Sequence, residues 1–275
     1  MEELQFSVLM SIYKKENTEY FKQAMDSVIN QTLAPEQIVL VRDGEVPELL
    51  QQTIDEYLQK YPELFTYVPL EQNGGLGNAL NLGLNYCRNE LVARMDTDDI
   101  CIPDRFEKQI AVFKENPEID IVGGNIAEFS ETVDKILDFR VVPKTHEEIS
   151  KMLKTRSPFN HVTVMFKKQA VLNAGNYQHF HFVEDWYLWI RMYLSGCKFA
   201  NLDENLCFVR VTDMSDRRGG YKYYKSLKNL LKYMREKKMI GFFSYTKSKI
   251  IRFGQAVILP NKLRAWAYKK FLRRT

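Results

Sequence analysis

Leu91-Val92-Ala93-Arg94-Met95-Asp96-Thr97-Asp98-Asp99 reads as a short apolar strand that ends in three carboxylates within four residues. Like charges that close repel, so the cluster is costly unless something positive sits among the side chains; the usual answer is a divalent cation. On an extended backbone Asp96 and Asp98 fall on one face. Two such carboxylates, with the phosphates of a substrate, make a hard, oxygen-rich site of the Mg2+ or Mn2+ kind. The same residues also read as an exposed turn with an N-cap aspartate before a helix that starts near Pro103. The segment alone leaves both readings open.

On either side of this stretch the first half of the chain alternates strand and helix. Apolar runs at 5–13, 38–41, 65–70 and 119–122 join 91–95 as strands. Between them, 18–31, 47–61, 76–87 and 103–114 carry helical spacing, with Phe21, Met25, Val28 and Ile29 as one apolar stripe. A β-α-β-α order predicts an α/β fold: a mostly parallel sheet flanked by helices. Ligands then gather at the carboxyl ends of the strands, where the polar clusters fall: Ser11-Ile12-Tyr13, Asp43, Asn73 to Gly77, and Asp96 to Asp99. The middle is less regular. The spacing predicts a hairpin over 129–142, a helix over 145–154, a strand over 162–166 and a helix from Glu184 to about 194, stopped near Gly196.

At 275 residues, with 45% hydrophobic and 13% aromatic side chains, the chain suits one large domain or a domain with an appendage. Cys87, Cys101, Cys197 and Cys207 form no CxxC pair, which argues against zinc and disulfides and for a reducing cytoplasm. The acidic start leads straight into a strand, unlike a signal peptide, and no uncharged apolar run is long enough for a membrane-spanning helix. The formal net charge of +4 hides an asymmetry: residues 221–275 hold 16 Lys and Arg against one acid, Glu236. That segment carries +15 and the remainder −11.

Several clusters carry chemistry. Gly74-Gly75-Leu76-Gly77 lies between a strand and a helix, where backbone N–H groups and the helix dipole meet an anion. It matches neither the dinucleotide fingerprint nor the P-loop, and a tight turn explains it as well. Asp43 can accept from a base N–H or a ribose hydroxyl, or serve as a turn aspartate. Glu184-Asp185-Trp186 puts two acids in a helix's first turn among rings (Phe180, Phe182, Tyr187, Trp189). Partial desolvation there would raise a carboxyl pKa and make a better base, and rings stack on sugar faces; dipole stabilisation of the helix end is the plainer reading. Arg217-Arg218-Gly219-Gly220 is either a cationic loop that closes on a diphosphate or a solvated basic loop. His161 reads more readily as a packed histidine than as a functional one.

The ordered set resembles the family 2 glycosyltransferases with the GT-A fold, in particular the bacterial surface-polysaccharide branch typified by amylovoran-type glycosyltransferases. The likeness runs from 6 to about 220. It rests on Ser7-Val8-Leu9-Met10-Ser11-Ile12-Tyr13, Asp43-Gly44, Asn73-Gly74-Gly75-Leu76-Gly77-Asn78, Arg94-Met95-Asp96-Thr97-Asp98-Asp99, Pro103-Asp104-Arg105 with Gln109, Val122-Gly123-Gly124, His161, Gly175-Asn176-Tyr177 and Glu184-Asp185-Trp186 with Leu188-Trp189-Arg191. The resemblance implies a GT-A catalytic domain at 1–220 and a UDP-sugar donor held by Ser11, Tyr13, Asp43, Asn73 and Gly75. It implies that Asp96 bridges ribose and metal, that Asp98 binds Mn2+ or Mg2+ with the diphosphate, and that Asp185 is the catalytic base of an inverting transfer. Glu184, Trp186, His161, Arg217 and Arg218 become possible acceptor or diphosphate contacts. The family's usual Asp-Asp-Gly-Ser is Arg42-Asp43-Gly44-Glu45 here, and the Gln-x-x-Arg-Trp motif of processive synthases is missing, so single addition is expected.

Such transferases act on lipid-linked saccharide acceptors. The segment 221–275 interleaves Lys and Arg with apolar residues up to Trp266, the pattern of helices that lie on an anionic leaflet. It is expected to dock the enzyme on the cytoplasmic face of the inner membrane; nucleic-acid binding and packing on the body are the competing uses of a basic arm, and no nucleic-acid partner is expected. A sugar-1-phosphate nucleotidyltransferase would show a glycine-rich loop after the first strand, where Ser11-Ile12-Tyr13-Lys14-Lys15-Glu16 stands. A non-catalytic carbohydrate- or membrane-binding protein would not need the acidic sites.

Overall fold

The computed structural model describes residues 4–211 and 219–259. Strands β1 (Phe6–Ile12), β2 (Gln37–Arg42), β3 (Phe65–Pro69) and β4 (Leu91–Met95) lie parallel in the order β3-β2-β1-β4. Every residue of β4 is buried, as a strand covered on both faces requires. The connecting helices α1 (Thr18–Ile29), α2 (Glu48–Lys60) and α4 (Arg105–Glu115) cover one face, with Phe21, Met25, Leu50, Ile54, Phe106 and Ile110 against Phe6, Val8 and Met10. Helix α3 (Leu76–Tyr86) covers the other, over Leu9, Val39, Val41 and Val92. It approaches closely because residue 83 is glycine: a Cβ there would sit 2.6 Å from both Leu9 Cδ1 and Val41 Cγ2. This sheet, its helices and their order agree with the expectation from the sequence.

Past β4 the sheet turns mixed. It continues through β8 (Met165–Lys167), β6 (Ile121–Phe129), β9 (Phe199–Arg210) and the two-residue β5 (Ile100–Cys101), and β7 (Ile136–Arg140) forms a hairpin with the end of β6 that starts at Ile126, upstream of the expected 129–142. Strand β6 is longer than 119–122 because Gly123 and Gly124 let it run on; a side chain at either would collide with Asn201 or Leu206. Strand β9 has no counterpart in the sequence reading. Its centre, Asp203-Glu204-Asn205, breaks the apolar alternation, and the ladder shifts register beside it. The two acids leave the sheet to pair with Lys144 and Lys108.

Helices α5 (His146–Leu153), α6 (Lys168–Asn173) and α7 (Glu184–Leu194) add to the α3 face. The basic segment begins with α8 (Gly220–Glu236), which buries Leu227, Leu230, Leu231 and Met234 in the same core as Trp186 and Trp189. Helix α9 (Phe242–Phe253) follows and buries none of its side chains. Phe242, Ile250 and Ile251 are exposed, and Phe243 is 88% exposed. Among the described residues, no helix is long and apolar enough to cross a membrane. Arg217, Arg218 and Trp266 lie outside the described residues.

Candidate active site

The acidic turn after β4 is held by arginines from three directions. Arg94 and Asp96 share one face of the strand end, and the buried guanidinium grips both oxygens of Asp96 through Nη1 and Nη2. On the opposite face, buried Arg105 donates from Nη2 to the Arg94 carbonyl at 2.8 Å. From β9, the Arg210 backbone N–H donates to Asp99 Oδ1 at 2.8 Å and its Nε to the Asp98 carbonyl at 3.1 Å. The positive charge among these carboxylates therefore comes in part from the protein itself. It does not satisfy all of them. Burial, then the charges of Asp96 and Glu16, push the Asp98 carboxyl up to about 7. Burial and Asp98 push Asp99 well above the carboxylate range. Asp96, Asp98 and Asp99 each offer an oxygen within 4.8 Å of the others. An all-oxygen donor set with an uncompensated carboxyl fits a hard divalent cation.

The ends of β1 and β2 close the next side of the site. The Asp43 N–H donates to the Ile12 carbonyl at 2.7 Å, and Thr97 Oγ1 donates to the Ser11 carbonyl at 3.4 Å and to the Glu16 carboxylate. Asp43 is buried and organises the glycine turn: Oδ1 accepts from Gly74 N–H at 2.7 Å, while Oδ2 accepts from Gly75 N–H and Asn73 Nδ2, both at 2.9 Å. Gly44 permits this approach. Its φ is +83°, and a Cβ there would lie 2.8 Å from the Asn73 nitrogen. Gly75, at φ +85°, then starts α3 with no side-chain cap. The Asn78 N–H turns back to the Gly75 carbonyl at 3.0 Å, which leaves the N–H groups of Leu76 and Gly77 for a ligand or water.

Helix α7 brings the second acidic pair to the same place. A Cβ on Gly77 would lie 3.5 Å from Glu184 Cβ, so the first turns of α3 and α7 meet there. Burial, then Asp185, raise the Glu184 carboxyl to about 7, and Asp96 and Arg94 are near enough to act on it in opposite directions. Asp185 Oδ2 accepts from Ser157 Oγ at 3.2 Å. Buried Tyr177 lies within the fields of Arg94, Asp185, Glu184 and Asp96, so the two acidic sites flank one phenol. Its hydroxyl meets His161 Nε2 at 2.9 Å. Burial and the Arg94 charge hold His161 well below its ordinary pKa, neutral at pH 7.

Residues 7–177 match the family model for Glycosyl transferase family 2. The chain belongs to the family 2 glycosyltransferases. It is 40% identical over 266 residues to the amylovoran biosynthesis glycosyltransferase AmsE of Erwinia amylovora, covering 96% of this chain and 98% of that one. It is 34% identical over 270 residues to the UDP-Gal:alpha-D-GlcNAc-diphosphoundecaprenol beta-1,3-galactosyltransferase of Escherichia coli, covering 98% and 97%. Among solved structures, S. aureus TarS 1-349 in complex with UDP-GlcNAc superimposes with a TM-score of 0.63 at 17% identity, covering 98% of this chain and 76% of that one. That likeness supports the GT-A fold.

Within this glycosyltransferase, Ser11, Tyr13, Asp43, Asn73, Gly75, Asp96 and Asp98 lie at the ends of β1, β2 and β4 and at the start of α3, and Glu184 and Asp185 open α7 beside them. Trp186 is turned away: its ring is in the core and its Nε1 donates to the Leu153 carbonyl at 2.9 Å. Phe180 packs on Tyr187, which leaves Phe182 as the exposed ring of the 180–189 set. The sequence reading gave no role to Arg94, Arg210, Ser157 or Tyr177. For Arg94 a signal was present, since it stands two residues before Asp96 on a strand and so shares its face. Ser157 and Arg210 come from distant segments and carry no local signal.

Proposed function

We propose that the enzyme is an inverting, metal-dependent glycosyltransferase of surface-polysaccharide synthesis. It moves a hexose or N-acetylhexosamine from a UDP-sugar to a lipid-diphosphate-linked acceptor sugar. The observation that carries this reading is the convergence of Asp96, which shares a carboxylate cluster with Asp98, with Glu184 and Asp185 around Tyr177, at the carboxyl edge of the parallel strands. The E. coli relative, alike over nearly its whole length, is named for transfer of Gal to a diphosphoundecaprenol-linked GlcNAc.

In this reading Ser11, Tyr13, Asn73 and Gly75 hold the nucleotide, with Asp43 fixing the turn that carries the last two. Asp185 accepts the proton of an acceptor hydroxyl, and Ser157 orients the receiving carboxylate. The hydroxyl oxygen bonds to the anomeric carbon as the bond to the nucleoside diphosphate breaks, so the configuration inverts. The uncapped N–H groups at the start of α3 receive part of the departing negative charge. A Mn2+ or Mg2+ ion held by Asp96 and Asp98 would supply Lewis-acid neutralisation of the diphosphate. A second assignment has a specific observation behind it: Glu184, with a carboxyl near 7, has the proton affinity of a base at neutral pH.

The arm at 221–275 docks the enzyme on the cytoplasmic face of the inner membrane. Its support is α9, where Phe243 and Ile250 are exposed beside Lys247 and Lys249 and no acid follows Glu236. Two experiments test the reading. A panel of UDP-sugars is offered with Mn2+ and a lipid-diphosphate-linked acceptor; absence of transfer from every donor would sink it. Phe243→Glu is expected to abolish co-sedimentation with anionic liposomes while sparing transfer to a detergent-solubilised acceptor. Unchanged sedimentation removes the docking role.

A further inference from the structure

Arg94 is the unusual residue of the site. It stands in the central strand β4, 2% exposed, between a core of Val92, Phe166 and Trp189 and the acidic turn. Burying a guanidinium there is costly unless it is paired in good geometry. The geometry is good at one end only. Nη1 and Nη2 both bond Asp96, whereas Nε has no hydrogen-bond partner among the described residues. Both terminal nitrogens are directed at a carboxylate to which the proposed reading gives the metal. The Arg94 charge also reaches Asp98, Asp99 and Glu184, lowering the proton affinity of each.

We propose that Arg94 is a positioning residue that acts as an internal countercation. It keeps Asp96 in place and the acidic turn assembled when the site is empty, and it competes with the divalent cation for the Asp96 oxygens. The site thus holds its shape between turnovers without binding the ion tightly, and the ion is retained firmly only when the donor's diphosphate adds its own oxygens. This rests on the metal-diphosphate reading of Asp96 and Asp98.

The inference makes a prediction whose sign a merely structural role would not give. Damage to a binding site weakens binding; removal of a competitor strengthens it. Mn2+ binding to the donor-free full chain is measured by calorimetry for wild type, Arg94→Met and Arg94→Lys, with the thermal midpoint recorded with and without Mn2+. Arg94→Met is expected to bind Mn2+ about ten-fold or more tightly than wild type, the scale for losing an opposing charge a few ångströms away. Its Mn2+-free midpoint is expected to fall, and Mn2+ to raise that midpoint more than it raises wild type's. Arg94→Lys keeps the charge but cannot fork across both oxygens, so its affinity falls between the two. Affinity for Arg94→Met equal to or below wild type overturns the inference. If that variant does not fold, Arg94→Lys decides alone, and affinity no higher than wild type's overturns it. The two readings fail separately. Wild-type transfer that persists in EDTA removes the metal reading; wild-type transfer that needs Mn2+, with unchanged Mn2+ affinity in the Arg94 variants, removes only the role of Arg94.

Discussion

The two acidic sites of this enzyme are built on opposite plans. At the tip of β4 the carboxylates are fastened: Asp96 by the Arg94 fork, Asp99 by the backbone of Arg210, and the turn between them by Arg210 Nε. At the start of α7 the carboxylates meet no fastening of that kind among the described residues. The hydrogen-bond partner of Asp185 is the neutral hydroxyl of Ser157, and Glu184 is raised mainly by burial. The difference matches two tasks. A group that holds a charged ligand gains from fixed geometry and permanent countercharge. A group that must take up a proton loses basicity to every cation fastened to it. The site that binds is clamped, and the site that titrates is left loose.

The largest expected effect breaks the loose site. Asp185→Asn keeps shape and the Ser157 contact but removes the base, and kcat should fall about 10²–10⁴-fold with UDP-sugar affinity unchanged. Isothermal titration with UDP beside a transfer assay checks it. Near-normal turnover, with the loss appearing instead in Glu184→Gln, would exchange the roles of the two acids. At the clamped site Asp98→Asn should cost about 10²–10³-fold, the scale for one group that stabilises developing charge. Here the loss should come with weaker Mn2+ binding, which Asp185→Asn should not show. Equal Mn2+ affinity in both variants would erase the contrast between the sites.

How far the sequence discloses this contrast depends on distance along the chain. The parallel strands were legible because each is a short apolar run ended by a polar cluster, and their helices because Phe21, Met25 and Val28 recur at helical spacing. The acidic pairs were legible as well, Asp96 with Asp98 by strand alternation and Glu184 with Asp185 by their place at a helix start. What fastens them was not. Ser157 reaches Asp185 across 28 residues and Arg210 reaches Asp99 across 111. Arg210 lies on β9, whose polar centre hides it from a search for apolar alternation. Arg94 was close enough to Asp96 to be read, but a cation inside an apolar strand looks like an interruption until its partner's face is considered. The arm was legible as basic and amphipathic. That α8 spends its apolar face on the core while α9 keeps its own exposed depends on the surface that α7 presents to them, which charge and spacing do not encode.

A smaller effect sharpens the plan of the loose site. Ser157→Ala removes one hydrogen bond to Asp185 without touching its charge. A neutral hydrogen bond of this kind is worth about 0.5–1.5 kcal/mol, so kcat should fall by roughly 3–10-fold, with the KM for UDP-sugar unmoved. A drop confined to donor KM would show that Ser157 serves the nucleotide rather than Asp185.

The smallest expected effect on turnover concerns Glu184, and its main signature is in stability. Its carboxyl sits near 7 in the folded protein against an ordinary 4.5. Below pH 4.5 folded and unfolded chains both hold the proton, and the group contributes no pH slope. Between 4.5 and 7 the folded chain keeps a proton that the unfolded chain has released, so rising pH favours unfolding across that window. The contribution is fully present at low pH and is lost as pH climbs through 7. Glu184→Gln fixes the side chain in its neutral form and should flatten the fall in thermal midpoint between pH 5 and 8, leaving the variant more stable than wild type at about pH 8. Asp98 and Asp99, both raised, keep part of the slope in either protein, so the difference between the two curves is the quantity to read. Parallel curves would mean that Glu184 is already ionised at pH 5 through a cation close enough to balance it, and the distinction between a clamped and a loose acidic site would be lost.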